Sequence, residues 1–285
     1  MDRYKQVIKE SRVPVDSSFI NSEIERISEK IAQYRTPEIL AKIYNSIDLT
    51  TLSTEDSQHS VTEFVKKVND FDNEYPQFPN VAAICVYSNF AGVVRSVLEV
   101  SGVDIAVVAG GFPSSQTFTA VKVADVALAT AEGADEVDVV MNIGMFLDEN
   151  YEELCDELIE LKHTAKDAKL KVIIESGLLK TPEKIRDASI LAMWSDADFI
   201  KTSTGKIYEG ATPSAAYVMC CCIKEYFEKT GRRVGFKAAG GVRTVDEALL
   251  YYAIVKDVLG DEWLNKDYFR IGASSLAENV LNEMK

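Results

Sequence analysis

Apolar residues along this chain are grouped into eight short runs rich in β-branched and aliphatic residues. Each run is followed by an amphipathic segment, a pattern that predicts a strand and then a helix. The predicted strands are Tyr44–Leu49, Val81–Tyr87, Ile105–Ala109, Val137–Met141, Leu170–Glu175, Asp198–Thr202, Val234–Lys237 and Phe269–Gly272. Their apolar positions are nearly continuous, which is typical of strands buried on both faces of a parallel sheet.

Signals for helix starts lie between these strands. Thr181-Pro182 and Thr212-Pro213 each place an N-cap residue before a proline in the first turn, and Thr244 with Glu247 marks a third start. One more helix is predicted from Ser22 to Tyr34, ahead of the first strand. Eight strand and helix pairs without a flexible linker predict a single-domain α/β protein, a (β/α)8 TIM barrel with an extra N-terminal helix.

The predicted domain boundary falls before the first strand. Residues 1–42 are assigned to an N-terminal helical extension and residues 43–285 to the catalytic barrel. The alternative is a doubly wound open sheet, which normally has a Gly-rich turn after its first strand. The segment Asp48-Leu49-Thr50-Thr51-Leu52 contains no glycine, which favours the barrel and leaves flavodoxin-like variants open.

The net charge and hydropathy of the chain limit the classes of partner that we expect it to bind. The 285 residues include 31 Lys+Arg and 45 Asp+Glu, for a formal net charge of −14, which argues against a nucleic-acid partner. No stretch approaches the ~20 consecutive apolar residues of a membrane helix, and the first residues lack the apolar segment of a secretory signal. We therefore expect a cytoplasmic protein without a membrane partner.

Cysteine and histidine are distributed in a way that disfavours several chemistries. The five cysteines include three adjacent ones, Cys220, Cys221 and Cys222, which are neither a disulfide framework nor a spaced set of metal ligands. The two histidines, His59 and His163, lie in polar segments that are predicted to be helical and exposed. Histidine-based triads are therefore disfavoured, and we expect no metal and no cofactor.

Candidate catalytic residues lie at the C-terminal ends of predicted strands, where the active site of a (β/α)8 barrel is built. The two-residue period of a strand places Lys201, Lys237 and Asp138 on the inward face, while their apolar neighbours face the helices. Two buried lysines are unfavourable unless they are paired or functional. One interpretation is structural, with each lysine paired to a carboxylate such as Asp138 or Glu175.

The other interpretation of the two lysines is catalytic. A lysine amine with an ordinary pKa of about 10.4 is almost fully protonated at pH 7, so a nucleophilic lysine needs a pKa lowered by burial or a neighbouring cation. A second lysine on the next strand supplies both conditions. Such an amine forms a Schiff base with a carbonyl substrate, and Asp138 could carry protons to and from the intermediates.

Three loops at the same end of the barrel carry glycine, serine and lysine. They read Thr204-Gly205-Lys206, Gly240-Gly241 and Gly272-Ala273-Ser274-Ser275. Backbone amides, hydroxyls and an ammonium group favour phosphate, and the phosphate site of a barrel commonly lies at loops seven and eight. The glycines could instead serve only as tight turns. Together the loops predict a small phosphorylated sugar substrate bound by Gly205, Lys206, Gly240, Gly241, Ser274 and Ser275.

Several segments resemble the deoxyribose-phosphate aldolase family. The segment from Phe199 to Lys206 is similar to the Schiff-base strand of that family, and the resemblance extends from about Ile43 to the C-terminus. The other similar segments, in family order, are Ile47–Leu52, Ala82–Tyr87, Gly133–Val140, Leu170–Glu175, Gly235–Lys237, Gly240–Arg243 and Phe269–Ser275.

The resemblance implies a class I aldolase that interconverts 2-deoxy-D-ribose 5-phosphate with D-glyceraldehyde 3-phosphate and acetaldehyde, in deoxyribonucleotide and carbohydrate catabolism. It implies that Lys201 forms the imine, that Lys237 lowers the pKa of Lys201 and that Asp138 is the acid/base carboxylate. It also implies that Asp48 supports this polar network. The three glycine-containing loops match the phosphate-binding loops of the family.

The sequence departs from the family pattern at its end. Many family members carry a C-terminal tyrosine that assists proton transfer, whereas no tyrosine follows Tyr268. Loss of such a group lowers a rate by about 10²–10⁴-fold. One alternative is therefore a catalytically weakened aldolase-like protein that acts mainly as a binding or scaffolding protein for a protein partner. Another is a lysine-dependent aldolase for a larger sugar phosphate.

Self-association is a further expectation. Barrels of this kind often pair through their outer helices, so the protein could be a homodimer. No predicted helix shows an apolar stripe distinctive enough to identify the interface.

Overall fold

A computed structural model describes residues 3–285, and its central element is a closed parallel β-barrel. The eight strands pair in sequence order, and the last strand closes on the first. The strands are β1 Ile47–Thr50, β2 Ala83–Tyr87, β3 Asp104–Ala109, β4 Glu136–Val140, β5 Lys169–Ile173, β6 Phe199–Lys201, β7 Gly235–Ala239 and β8 Phe269–Ala273. The predicted (β/α)8 barrel is confirmed, and the open-sheet alternative is wrong.

Helices precede the barrel or cover its outer surface. They are α1 Arg3–Lys9, α2 Ser17–Ser28, α3 Ile31–Tyr34, α4 Pro37–Tyr44, α5 Gln58–Glu74, α6 Ala91–Val97, α7 Thr119–Ala131, α8 Ile143–Leu147, α9 Tyr151–Ala165, α10 Ser176–Leu179, α11 Pro182–Trp194, α12 Pro213–Thr230, α13 Val245–Leu259 and α14 Leu276–Met284. Two short 3-10 turns lie at Ser88–Phe90 and Asp261–Trp263. No helix in residues 3–285 is both long and apolar enough to cross a membrane.

The N-terminal region differs in detail from its prediction. The predicted helix over Ser22–Tyr34 is divided into α2 and α3. Helix α2 begins earlier than predicted because the Asp16 carboxylate caps it and accepts a hydrogen bond from the Phe19 amide at 2.8 Å. Tyr44, predicted to start the first strand, instead ends α4. The helix α2 packs against α12 and α13, so the N-terminal region covers part of the outer helical layer.

The three predicted helix starts are confirmed, and two of them end loops of the candidate site. Thr181 and Thr212 accept hydrogen bonds from backbone amides at the starts of α11 and α12. Thr244 and Glu247 form a reciprocal capping box at α13. These caps satisfy amides that a helix start would otherwise leave unpaired, and they fix where the loops after β6 and β7 end.

The barrel interior is charged on most of its strands and apolar beside β2 and β3. Outward-facing residues such as Ile200 and Phe236 are buried beneath the helices, as the strand period predicts. The inward positions hold seven buried charged side chains in place of the branched apolar layers usual in such barrels. They are Asp48, Glu136, Asp138, Lys171, Lys201, Lys237 and Arg270.

Histidine and cysteine side chains have the surroundings expected from the sequence. His59 and His163 are exposed on α5 and α9. The cysteines are free thiols, and burial raises the pKa of each of them, which disfavours the reactive thiolate. No group of three or more His, Cys, Asp or Glu side chains in residues 3–285 is arranged to hold a metal ion.

Candidate active site

The two lysines identified from the sequence meet at one carboxylate inside the barrel. The Nζ atoms of Lys201 and Lys237 lie 2.8 and 2.7 Å from Oδ2 of Asp138. Strands β6 and β7 place the two lysines opposite each other in the sheet register, so their side chains converge on the same oxygen. The structure therefore brings together the three candidate catalytic residues, although they come from three different strands.

The surroundings of the two lysines shift their pKa values in opposite directions. Burial lowers the pKa of Lys201, and the charge of Lys237 lowers it further, while the single carboxylate Asp138 opposes this effect only in part. Burial acts on Lys237 in the same sense, but Asp138 and Asp48 together outweigh it and raise the pKa of Lys237. Lys201 is therefore the better candidate for a neutral amine, and Lys237 for a permanent cation.

Asp138 is held in its ionised form. Burial disfavours its charge, but Lys171, Lys201 and Lys237 outweigh burial and keep the pKa of Asp138 below its usual range. Its Oδ1 atom accepts no hydrogen bond from residues 3–285 and lies 3.3 Å from Nζ of Lys171. An ionised carboxylate with available acceptor capacity next to an amine can act as a base toward that amine.

A cavity of about 240 Å³ lies at the C-terminal end of the barrel. Lys201 lines this cavity, whereas Asp138 and Lys237 do not, so Lys201 is the member of the group that a substrate can reach. All six residues predicted to bind phosphate also line it, namely Gly205, Lys206, Gly240, Gly241, Ser274 and Ser275. The three loops therefore form one site around the candidate nucleophile.

Close packing of two of these loops requires glycine. Gly240 has a positive φ of 86°, a conformation that residues with a Cβ atom rarely adopt. A Cβ atom at Gly240 would lie 2.9 Å from the Cα atom of Gly210 and 3.1 Å from that of Gly205. Glycine thus lets the loops after β6 and β7 approach each other beside the cavity.

Several groups at the cavity are suited to an anion. Ser274 and Ser275 directly precede α14, and the amides and dipole of a helix N-terminus attract negative charge. Lys206 adds an ammonium group, which donates a hydrogen bond to the Leu52 carbonyl oxygen across the cavity. Arg243 also lines the cavity, and the sequence pattern did not single it out.

A deeper set of charged side chains lies below the cavity, and the sequence analysis assigned no role to two of them, Lys171 and Arg270. Asp48, predicted as a supporting residue, accepts hydrogen bonds from Lys237 and from Arg270, the latter at 2.6 Å. Lys171 lies 3.4 Å from Asp48, and Arg270 lies 2.8 Å from Glu136. The sequence did contain a signal that could have identified Lys171 and Arg270, because each is a charged residue within a strand that is otherwise nearly all apolar.

Glu175 has a different role from the one considered for it. It lies just after β5 with a positive φ of 52°, and it is buried. Its carboxylate accepts hydrogen bonds from the amide and hydroxyl of Thr204, at 3.1 and 2.7 Å. It forms no ion pair with a lysine in residues 3–285, so the suggested structural pairing through Glu175 is wrong. Glu175 instead holds the start of the loop that carries Gly205 and Lys206.

The chain is similar to known aldolases in sequence and in fold. A family model described as DeoC/LacD family aldolase matches residues 42–276. A mouse deoxyribose-phosphate aldolase is 39% identical over 255 residues, which cover 85% of this chain and 79% of the mouse protein. The solved structure of QR15, an aldolase, has a TM-score of 0.68 at 28% identity, covering 84% of this chain and 95% of QR15.

A second solved structure shares the fold. The tetrameric deoxyribose phosphate aldolase from Aeropyrum pernix has a TM-score of 0.67 at 24% identity, covering 90% of this chain and 95% of that one. The family match and the similarity to the mouse enzyme confirm the family resemblance predicted from the sequence. Because the family match spans the strands that carry Lys201 and Lys237 and the loops around the cavity, this chain belongs to the DeoC/LacD family of aldolases.

Proposed function

We propose that the protein cleaves 2-deoxy-D-ribose 5-phosphate to D-glyceraldehyde 3-phosphate and acetaldehyde, and catalyses the reverse reaction, through a Schiff base on Lys201. The observation that carries this proposal is that Lys201, a buried lysine with a lowered pKa, opens onto a cavity lined by three anion-binding loops. The similarity to the mouse enzyme supports the choice of substrate. Family membership favours this aldolase over the binding or scaffolding alternative.

The proposed reaction begins with the neutral amine of Lys201. The amine attacks the C1 aldehyde carbon of the open-chain sugar, and the resulting carbinolamine loses water to form an iminium ion. Asp138, 2.8 Å from the Lys201 nitrogen, accepts and returns the protons that these steps move. Lys237 stays charged throughout and opposes protonation of the free amine.

Carbon–carbon cleavage follows from the iminium ion. The proton of the C3 hydroxyl passes through water to Asp138, a carbonyl forms at C3 and the C2–C3 bond breaks. The electron pair of that bond passes to the iminium nitrogen. D-Glyceraldehyde 3-phosphate leaves, and an enamine remains on Lys201. Protonation of the enamine at C2 and hydrolysis of the imine then release acetaldehyde and restore the amine.

The phosphate group of the substrate is assigned to the loops after β6, β7 and β8. We expect Lys206→Ala to raise the KM for 2-deoxyribose 5-phosphate about tenfold or more, because a hydrogen bond to a charged group contributes about 1.5–3 kcal/mol. Cleavage of unphosphorylated 2-deoxyribose should not change. The measurement is the initial rate of aldehyde release from each sugar, with Lys184→Ala on the exposed side of α11 as a matched control.

The same assay distinguishes the candidate functions. Equal effects of Lys206→Ala on both sugars would contradict phosphate binding by this loop. Cleavage of a larger sugar phosphate, with none of 2-deoxyribose 5-phosphate, would favour the other lysine-dependent aldolase reaction. The expectation that no cofactor is needed is part of the proposal, because the lysine chemistry requires none.

We also propose that two copies of the chain pair through α7. Phe118, Val121 and Leu128 are 81%, 51% and 67% exposed, and the exposed positions between them are alanines. In a two-fold interface a residue near the axis contacts the same residue of the other chain. Because each chain has a net charge of −14, an uncharged face avoids repulsion between like charges at this contact. Helix α7 is apolar on nearly every side, and only its packing shows which side is exposed.

Leu128→Asp should convert the dimer to a monomer, because it places two carboxylates near each other across the proposed axis. Sedimentation equilibrium at micromolar concentration would measure the mass. Leu147→Asp, at an exposed apolar position on α8, is the matched control and should leave the mass unchanged. A monomeric wild-type protein, or a Leu128→Asp variant with the mass of a dimer, would refute this interface.

The cellular setting is part of the proposal as well. Free thiols at all five cysteines are typical of a reducing compartment, which supports a cytoplasmic location. The proposed substrate belongs to deoxyribonucleotide catabolism.

A further inference from the structure

Seven charged side chains form one continuous ion network inside the barrel, in which neighbouring members lie within 3.4 Å of each other. Three members are carboxylates and four are cations: Asp48, Glu136 and Asp138, then Lys171, Lys201, Lys237 and Arg270. Glu136 and Arg270 lie near the starts of β4 and β8, whereas Lys201 ends β6. The network therefore runs from the candidate nucleophile toward the opposite end of the barrel.

The four cations differ in how many carboxylates surround them. Arg270 lies 2.6 Å from Asp48, 2.8 Å from Glu136 and 3.3 Å from Asp104. Lys171 contacts all three carboxylates of the network, and Lys237 contacts two of them. In residues 3–285, Lys201 is paired with Asp138 alone.

Counting the charges indicates that one of the four cations is neutral, and Lys201 has the fewest carboxylate partners. With every member ionised, four cations would face three carboxylates, and an uncompensated charge in a buried site is strongly unfavourable. A neutral Lys201 leaves three charges of each sign. Lys169 and Asp104 lie at the rim of the barrel, and each is about one third exposed. They add one charge of each sign, so the difference between the numbers of cations and carboxylates is the same.

Two further buried titratable groups make no ion pair with the network. Cys85 on β2 is buried, and burial raises the pKa of its thiol, so it is uncharged near neutral pH. Glu175 after β5 is hydrogen-bonded to Thr204 and has no ion-pair contact with the network in residues 3–285. The ion pair of Lys201 in residues 3–285 therefore lies within the network itself.

We propose that Arg270 and Glu136 are positioning residues that set the charge balance of the network and thereby keep Lys201 neutral from the far end of the barrel. This inference rests on the proposed function, because a neutral Lys201 matters for catalysis only if that amine forms the imine. The lowered pKa of Lys201 and the raised pKa values of Lys171 and Lys237 agree with this distribution of charge.

The test is the pH dependence of imine formation at Lys201, measured by trapping acetaldehyde with borohydride and quantifying the adduct on its peptide. Arg270→Met removes a cation, favours protonation of Lys201 and should move the rising limb of the pH profile about one unit higher. Glu136→Gln removes a carboxylate and should move the limb about one unit lower. The double variant removes one charge of each sign and should return the limb to the wild-type position.

Two control variants distinguish an effect of the removed charge from an effect of altered structure. Arg270→Lys keeps the positive charge and should keep the wild-type profile. Lys256→Met removes a cation from the surface of α13, outside the network, and should also keep it. If Arg270→Met does not fold, Asp104→Asn removes a carboxylate at the rim, 3.3 Å from Arg270, and should shift the limb in the same direction as Glu136→Gln.

Each result decides the proposal. Slower trapping at every pH with an unmoved limb is what a purely structural role predicts, and it would overturn the inference. A double variant that keeps the shift of either single variant would overturn it as well. Absence of an adduct on Lys201 in the wild-type protein would instead refute the proposed function, so the two failures are distinguishable.

Discussion

Replacing Lys201 with alanine should abolish borohydride trapping of acetaldehyde and lower release of glyceraldehyde 3-phosphate by on the order of 10⁶-fold, as expected when a covalent nucleophile is removed. The reason is that Lys237, the other amine beside Asp138, is poorly placed to take over. Lys237 lies close by, but it does not line the cavity, and Asp48 and Asp138 keep it charged. Peptide mass mapping of the reduced protein locates the adduct, and a coupled assay measures the aldehyde released.

A second variant controls for loss of structure. Lys201→Gln leaves an uncharged hydrogen-bond donor beside Asp138, as the neutral amine does, but an amide nitrogen does not form an imine. It should fold and yet give no adduct. An adduct that persists on another lysine in Lys201→Ala, with release near the wild-type rate, would show that the nucleophile has been assigned to the wrong residue.

Replacing Lys237 with leucine should raise the pKa of the Lys201 amine by about 1–3 units, the usual effect of a charge at close range. The amine reacts only when neutral, so activity rises as the pH passes its pKa. A raised pKa therefore moves the rising limb of the pH–activity profile to higher pH. At neutral pH the rate falls, and at sufficiently alkaline pH much of it should return. The measurement is kcat/KM across the pH range.

The stability of this variant needs a separate measurement. Lys237 is buried against Asp48 and Asp138, and removing one partner of a buried ion pair lowers stability by about 3–5 kcal/mol. Thermal melting would show whether the variant remains folded where activity is assayed. Lys237→Arg keeps the cation and should keep the limb near its wild-type position. An unchanged profile in a folded Lys237→Leu variant would mean that Lys237 does not activate Lys201.

Local patterns were sufficient to predict much of the architecture. Apolar runs identify eight strands, and Thr181, Thr212 and Thr244 identify helix starts, because these signals depend on residues adjacent in the chain. The period of a strand was also enough to place Lys201, Lys237 and Asp138 inside the barrel, since it fixes the face of each side chain relative to its neighbours.

Other features required the tertiary structure. Asp48 and Arg270 are separated by 222 positions in sequence and meet at 2.6 Å only because β1 and β8 close the barrel. Which lysine is neutral depends on how many carboxylates surround each nitrogen, and those carboxylates lie on different strands. The exposed side of α7 likewise depends on what packs against the helix. The sequence by itself determined the inward face of the strands that carry Asp138, Lys201 and Lys237, and it showed which loops carry glycine, serine and lysine. Only the folded chain decided the charge states, because electrostatic energies depend on distance and burial, which strand period and capping residues do not specify.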